Sequence, residues 1–320
     1  LPVFSSAMCQ TDESPLADGQ PITLCCADGV LLEGHLWTAR SAAAAAVIIN
    51  GATGVRARYY HRYARFLSAH GFDVLTYDYR GIGASRPPRL RGCGYRWRDW
   101  GEQDVEAALQ TMLTRRSDTP VMVVGHSIGG FLPGLAPSAG RIARMLTVGA
   151  QYAWWGDYRR DARARLFLKW HVTMPVLTAV FGYFPGRRLG WLEDLPAGVA
   201  LEWSFRRSRF ERSYPARERL LLLKRMESVT APILAVTVSD DDIGSPAAIR
   251  RTLNYYHAAD RMAVVLHPAD LNRKTIGHFS LFHDSHVDRF WPDTLRWLQA
   301  GDNPWAALRS TVTTAEQSLR

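Results

Sequence analysis

The chain has 320 residues, 47% of them hydrophobic, and a formal net charge of +9, which is enough for one large domain, or a domain with an insertion, around a substantial core. No run approaches the roughly 18 apolar residues that a membrane helix needs, and the N-terminus lacks the basic start and apolar centre of a secretory signal, so no membrane insertion and a cytoplasmic location are expected. The basic balance comes without a recognised nucleic-acid-binding module, which sets nucleic acid aside as a partner.

Leu1 is not an initiator residue, which leaves Met8 as a candidate natural start or a trimmed chain as the alternative. After a polar beginning, I-T-L-C-C (22–26) and G-V-L-L-E-G-H-L-W (29–37), joined at Asp28-Gly29, read as a β-hairpin. Cys25 and Cys26 are adjacent, so on a strand they face opposite ways and do not pair with each other. With Cys9 and Cys93 they show no C-x-x-C spacing, and free thiols in a reducing compartment are expected, with no metal site and no cofactor.

A-V-I-I-N-G-A-T-G-V (46–55) is a buried strand entering a glycine-bearing loop. A helix over Tyr59 to His70 stops at Gly71. The next strand is F-D-V-L-T-Y-D-Y-R-G (72–81), and a helix from Trp100 to Thr114 leads to V-M-V-V (121–124). Strand and helix alternate, which predicts an α/β fold with a mainly parallel sheet flanked by helices on both faces. Ligands in such sheets bind beyond the carboxyl ends of the strands.

At one of those ends stands G-H-S-I-G-G (125–130). The apolar run before it suits a strand buried on both faces. Gly125 and Gly129 remove the Cβ atoms that would clash where the chain reverses, leaving Ser127 raised on a sharp strand-to-helix turn. A helix is expected to start at Ile128, its free N–H groups facing the place where a negative oxygen would form.

R-M-L-T-V-G-A (144–150) is one more strand, after which the pattern breaks. Residues 152–230 hold five of the eleven tryptophans, with 15 Lys or Arg against 8 Asp or Glu. We read 1–151 and 231–320 as two parts of one core and 152–230 as a cap inserted over the sheet edge. The charged runs at 159–165 and 206–212 read first as solvated helix faces, and otherwise as a field steering an anionic acyl substrate or an anionic surface. The tryptophans read first as packing between cap and core. Strand A-P-I-L-A-V-T-V-S-D-D-D (231–242), a helix near Pro246 to His257, strand M-A-V-V-L-H (262–267) and a helix from Ser285 to Ala300 complete the chain.

A serine hydroxyl needs a base, and the base needs an orienting group. His278 alone among ten histidines follows the last strand in a glycine-flanked loop, I-G-H-F. His283 and His286 open the next helix as solvated or capping residues, and His126 points away from the serine. The acid comes from Asp240, Asp241 or Asp242, for which a metal site or a solvated turn is the competing reading. Two N–H donors for an oxyanion would be those of Ile128 and Ala52.

N-G-A-T-G (50–54), D-Y-R-G-I-G-A-S (78–85) and G-H-S-I-G-G together resemble the α/β-hydrolase superfamily over nearly the whole chain, and L-E-D-L-P-A-G-V-A-L-E-W (192–203) is similar to its serine aminopeptidase-like and YheT-like bacterial hydrolases. The resemblance implies a nucleophile at Ser127 and a base at His278. It selects Asp241, nine positions after the strand-opening Pro232, as the acid, with Asp242 second. Asn50 stands where many similar sequences carry histidine. The function this implies is hydrolysis of a carboxylic ester, thioester or amide of a small molecule through an acyl-serine. The alternatives are an acyltransferase using the same intermediate and a non-catalytic ligand-binding member of the fold.

Overall fold

The computed structural model describes residues 19–41, 43–115 and 117–308; Met8 and Cys9 lie outside them. Among the described residues ten strands occur in chain order: β1 (Gln20–Cys25), β2 (Leu31–Trp37), β3 (Ala45–Asn50), β4 (Phe72–Tyr77), β5 (Val121–His126), β6 (Ile142–Val148), β7 (Tyr183–Phe184), β8 (Leu195–Pro196), β9 (Ile233–Val238) and β10 (Arg261–Leu266). Eight form one sheet in the order β1-β2-β4-β3-β5-β6-β9-β10, while β7 and β8 pair separately. The β1–β2 hairpin is antiparallel, as is β2 against β4. Every pairing from β4 through to β10 is parallel.

The continuous apolar runs are explained by position: β3, β4, β5 and β9 are buried at every residue, since helices cover both faces. Ala46 and Ile48 of β3 face one core, which also holds Trp97, Trp100, Leu222 and Ile249. Val47 and Ile49 face the other, with Tyr63, Leu67, Trp291 and Trp297. Cys25 is exposed and Cys26 buried, and both are free, as is Cys93. No helix among the described residues is long and apolar enough to cross a membrane.

Three local departures from expectation have physical causes. The helix before β5 begins at Trp97, where the Asp99 carboxylate accepts the Arg96 N–H, and it carries a π-turn over Trp100–Val105. Behind Ser127 the chain forms two 3-10 turns, Ser127–Gly130 and Leu132–Leu135, in place of the expected α-helix; Gly129, Gly130, Pro133 and Gly134 are the poorest helix formers available. The last helix begins at Phe290, after a 3-10 turn Asp284–His286 whose Ser285 N–H is accepted by His283. His283 therefore caps as expected, whereas His286 is buried.

The D-Y-R-G-I-G-A-S turn is a brace. The Asp78 carboxylate accepts the Ala57 and Ala84 N–H groups at 2.7 and 2.8 Å. Arg80 is held by Asp104 and Asp28, and Ser85 donates to Asp78 O while accepting the Glu33 N–H. This ties the β4 end to β2 and to the loop leaving β3.

Within 152–230 the longest helical stretch runs over Arg163–Phe181, through a π-turn at Leu168–Thr173. The stretch Leu192–Pro196 grips the body: Glu193 N donates to Gly54 O and its carboxylate meets Arg56, while Asp194 meets Arg86. A Cβ on Gly81 would lie 2.4 Å from Pro196 Cγ, so this contact requires glycine. The helix Ala216–Glu227 buries Leu222 and Met226 against the body, where Met226 Sδ fills the space beside Gly134.

Candidate active site

Ser127 has φ 56°, in the left-handed region that a serine seldom occupies. The strain is imposed by close backbone packing. A Cβ on Gly125 would lie 2.5 Å from Gly130 Cα, and one on Gly129 would lie 2.2 Å from Asn50 O. The turn is thereby seated against the β3 end, and nothing larger than glycine fits at either position. Asn50 Oδ1 accepts the Tyr77 hydroxyl at 2.8 Å, and Asn50 Nδ2 is buried without a protein partner.

The three aspartates after β9 divide their work among different partners. Asp240 accepts the Ile276 and Gly277 N–H groups at 2.8 and 3.1 Å and so pins the loop that carries His278. Asp241 Oδ2 meets His278 Nδ1 at 2.7 Å, and its Oδ1 accepts the Ile243 and Gly244 N–H groups at 2.8 and 2.7 Å. Burial opposes its charge, yet the adjacent imidazole and the two N–H donors outweigh it and hold the carboxyl below its ordinary value. A carboxylate acceptor at Nδ1 fixes the ring with its proton there, which leaves Nε2 as a base. Asp242, the second choice for the acid, is turned to Arg159 and Arg165 at 2.9 and 2.8 Å and is not the partner of His278. Spread over separate partners, the three carboxylates do not converge as a metal shell would.

Ser127 and His278 line one cavity of about 250 Å³. They are not hydrogen-bonded to each other: Ser127 Oγ accepts from Gln151 Nε2 at 3.0 Å. Such bonds are often long in unliganded sites and close up when substrate is bound. Gln151 follows β6, and its Oε1 in turn accepts the N–H of Ala153, itself at φ 60°. The sequence reading overlooked this residue. Its one signal was its place three residues past the end of β6, at the edge where ligands gather.

His126 is turned from the serine, as expected. Its Nδ1 meets Tyr60 Oη and its Nε2 meets His278 O, both at 2.8 Å. Full burial, with the neighbouring His278 adding to it, pushes its pKa down to about 3, so it is a neutral tie between two loops. Tyr60 Oη also accepts the Ala52 N–H at 2.9 Å. Ala52 lines the cavity, but its N–H is already partnered, so it is not the free donor expected there. Ile128 is the second residue of the 3-10 turn that Ser127 opens, where an N–H has no acceptor within the turn.

The roof of the cavity comes from 152–230: Trp170, Trp191 and Trp203 line it. Packing and lining are not alternatives here. Trp203 stacks on Trp170 at 4.5 Å and on Trp97 of the body at 5.8 Å. The basic runs are likewise only partly solvated, since Arg206 is buried between the rings of Trp97 and Phe210.

Comparison with known proteins gives the same fold. A soluble variant of the monoglyceride lipase from Saccharomyces cerevisiae, solved with a substrate analog, is 14% identical with a TM-score of 0.63, covering 89% of this chain and 95% of that one. An esterase of Pyrococcus furiosus is 15% identical with a TM-score of 0.56, covering 88% and 90%. A monoacylglycerol lipase of Paleococcus ferrophilus is 14% identical with a TM-score of 0.54, covering 83% and 98%. A search of curated proteins finds no match. The family model described as "Alpha/beta hydrolase family" matches residues 46–309, and with that span, the sheet order and the raised serine in agreement, the chain belongs to the α/β-hydrolase family.

Proposed function

We propose that the protein is a serine hydrolase that cleaves a carboxylic ester of a small molecule through an acyl-serine, with residues 152–230 acting as its cap. The observation that carries this reading is the pairing of His278 Nδ1 with the buried Asp241 carboxylate in the cavity that Ser127 enters. Ser127 Oγ attacks the ester carbonyl carbon as His278 Nε2 takes its proton, and Asp241 stabilises the resulting imidazolium. The tetrahedral oxyanion is met by the Ile128 N–H, and by the Ala52 N–H once that group shares or leaves its bond to Tyr60. The C–O bond then breaks, and His278 returns the proton to the leaving alkoxide. Water repeats the sequence on the acyl-serine, releasing the acid and free Ser127.

The small cavity favours short acyl chains. A series of 4-nitrophenyl esters from acetate to octanoate tests this: turnover is expected to peak among the short chains and to fall about 10⁴-fold or more in Ser127→Ala. Turnover that survives in Ser127→Ala would remove the serine from the chemistry.

A further inference from the structure

The cavity holds one cation whose charge no carboxylate answers. Lys169 lines it together with Ser127 and His278. Its Nζ lies 4.4 Å from the ring centre of Trp170 and 4.2 Å from that of Trp191. The neighbouring cation, Arg165, is spent on Asp242. The other carboxylate lining the cavity, Asp240, is spent on the Ile276 and Gly277 N–H groups. Among the described residues Lys169 forms no ion pair, and no hydrogen-bond acceptor meets its ammonium. Indole faces attract a cation but supply no oxygen acceptor for its three N–H donors. Burial, with Arg165 adding to it, holds its pKa below the ordinary lysine value, the direction of an ammonium lacking an anion.

The two tryptophans also restrict where the charge sits. A free lysine is a flexible point charge, whereas here two rings hold the ammonium at the wall of the space that a substrate must enter. An anion brought there would receive the unmet N–H donors in a partly desolvated setting, where a charge-assisted hydrogen bond is strongest. We infer that Lys169 is the anion-binding residue of the substrate site and that the preferred ester carries a carboxylate. The carboxylate belongs either to the acyl part, as in a monoester of a short dicarboxylic acid, or to the leaving group. The kinetic part of this inference rests on the serine-hydrolase reading; the binding part does not.

Two matched pairs of esters separate the two sources. Mono-4-nitrophenyl glutarate against 4-nitrophenyl pentanoate places the charge on the acyl side. 3-Carboxy-4-nitrophenyl butyrate against 4-nitrophenyl butyrate places it on the leaving group. The readout is the anionic-to-neutral ratio of kcat/KM, which cancels general damage to the enzyme. In one pair that ratio is expected to fall at least tenfold from wild type to Lys169→Met, while Lys169→Arg keeps a preference more than threefold above Lys169→Met. Ratios within twofold of wild type in both pairs would overturn the inference.

If folded wild-type protein turns over none of the four esters, the hydrolase reading fails and binding decides. Calorimetric titration of Ser127→Ala protein with monomethyl glutarate and with 2-nitrobenzoate is expected to show binding of one of them, at least tenfold weaker in the Ser127→Ala/Lys169→Met double variant. No binding of either, or equal binding by both proteins, overturns the assignment.

Discussion

The floor and the roof of the cavity are built by different means. On the floor, the loops are set by contacts made onto the backbone: Gly129 packs against Asn50 O, and the Asp241 and Asp240 carboxylates accept the Ile243, Gly244 and Ile276 N–H groups. In the roof, position is set by side chains: stacked indoles, the Lys169 ammonium on two rings, and arginines paired with Asp242. Backbone packing leaves almost no room for substitution, whereas a side-chain wall changes with each residue. On the proposed chemistry the reacting groups are therefore fixed by the fold, and selectivity is open to variation above them.

Asp241 and Asp242 place this contrast on adjacent residues, one serving the floor and the other the roof. Asp241→Asn is expected to lower kcat about 10⁴-fold by presenting the wrong imidazole tautomer, while Asp242→Asn lowers it less than tenfold; ester kinetics on both variants measure this, and equal losses would dissolve the distinction. In stability the same contrast is tested by Gly129→Ala, whose Cβ would press on Asn50 O and which should cost about 1–3 kcal/mol or more. Val180→Ser, on an exposed roof residue, should stay within about 0.5 kcal/mol. Urea denaturation compares the two.

Acid sharpens it further. The folded His126 titrates at about 3 against 6.5 when unperturbed, so above pH 6.5 it is neutral in both states and adds no slope. As pH falls below 6.5 only the unfolded chain takes the proton, and stability drops by about 1.4 kcal/mol per pH unit until the folded ring titrates. His126→Gln should remove that component, measured as a flatter fall in unfolding free energy between pH 6 and 4. The smallest effect belongs to Glu193→Gln, which loosens the partly exposed pair with Arg56 and should change stability by no more than about 1 kcal/mol.

The floor was legible because its constraints sit in residue types. A serine between glycines, a histidine after the last strand and an aspartate after the preceding one each name their place by chain order. The roof was not, because its exposure runs against hydropathy: Leu168 and Val180 are 59% and 66% exposed, while Arg206 is 4% exposed. A pattern that expects apolar residues inside and arginine outside misreads such a segment. Gln151 escaped for another reason, since its hydrogen bond to Ser127 depends on the turn at Ala153. The choice among three adjacent aspartates needed the resemblance to related sequences, because each of the three could have met the histidine.

The most direct test of the account is the reactivity of Ser127 itself. A fluorophosphonate probe, with the modified residue mapped by mass spectrometry, is expected to label Ser127 and no other serine, and labelling should vanish in both Ser127→Ala and His278→Ala. Well-folded protein that resists the probe, or label found on a different residue, would contradict the proposed chemistry.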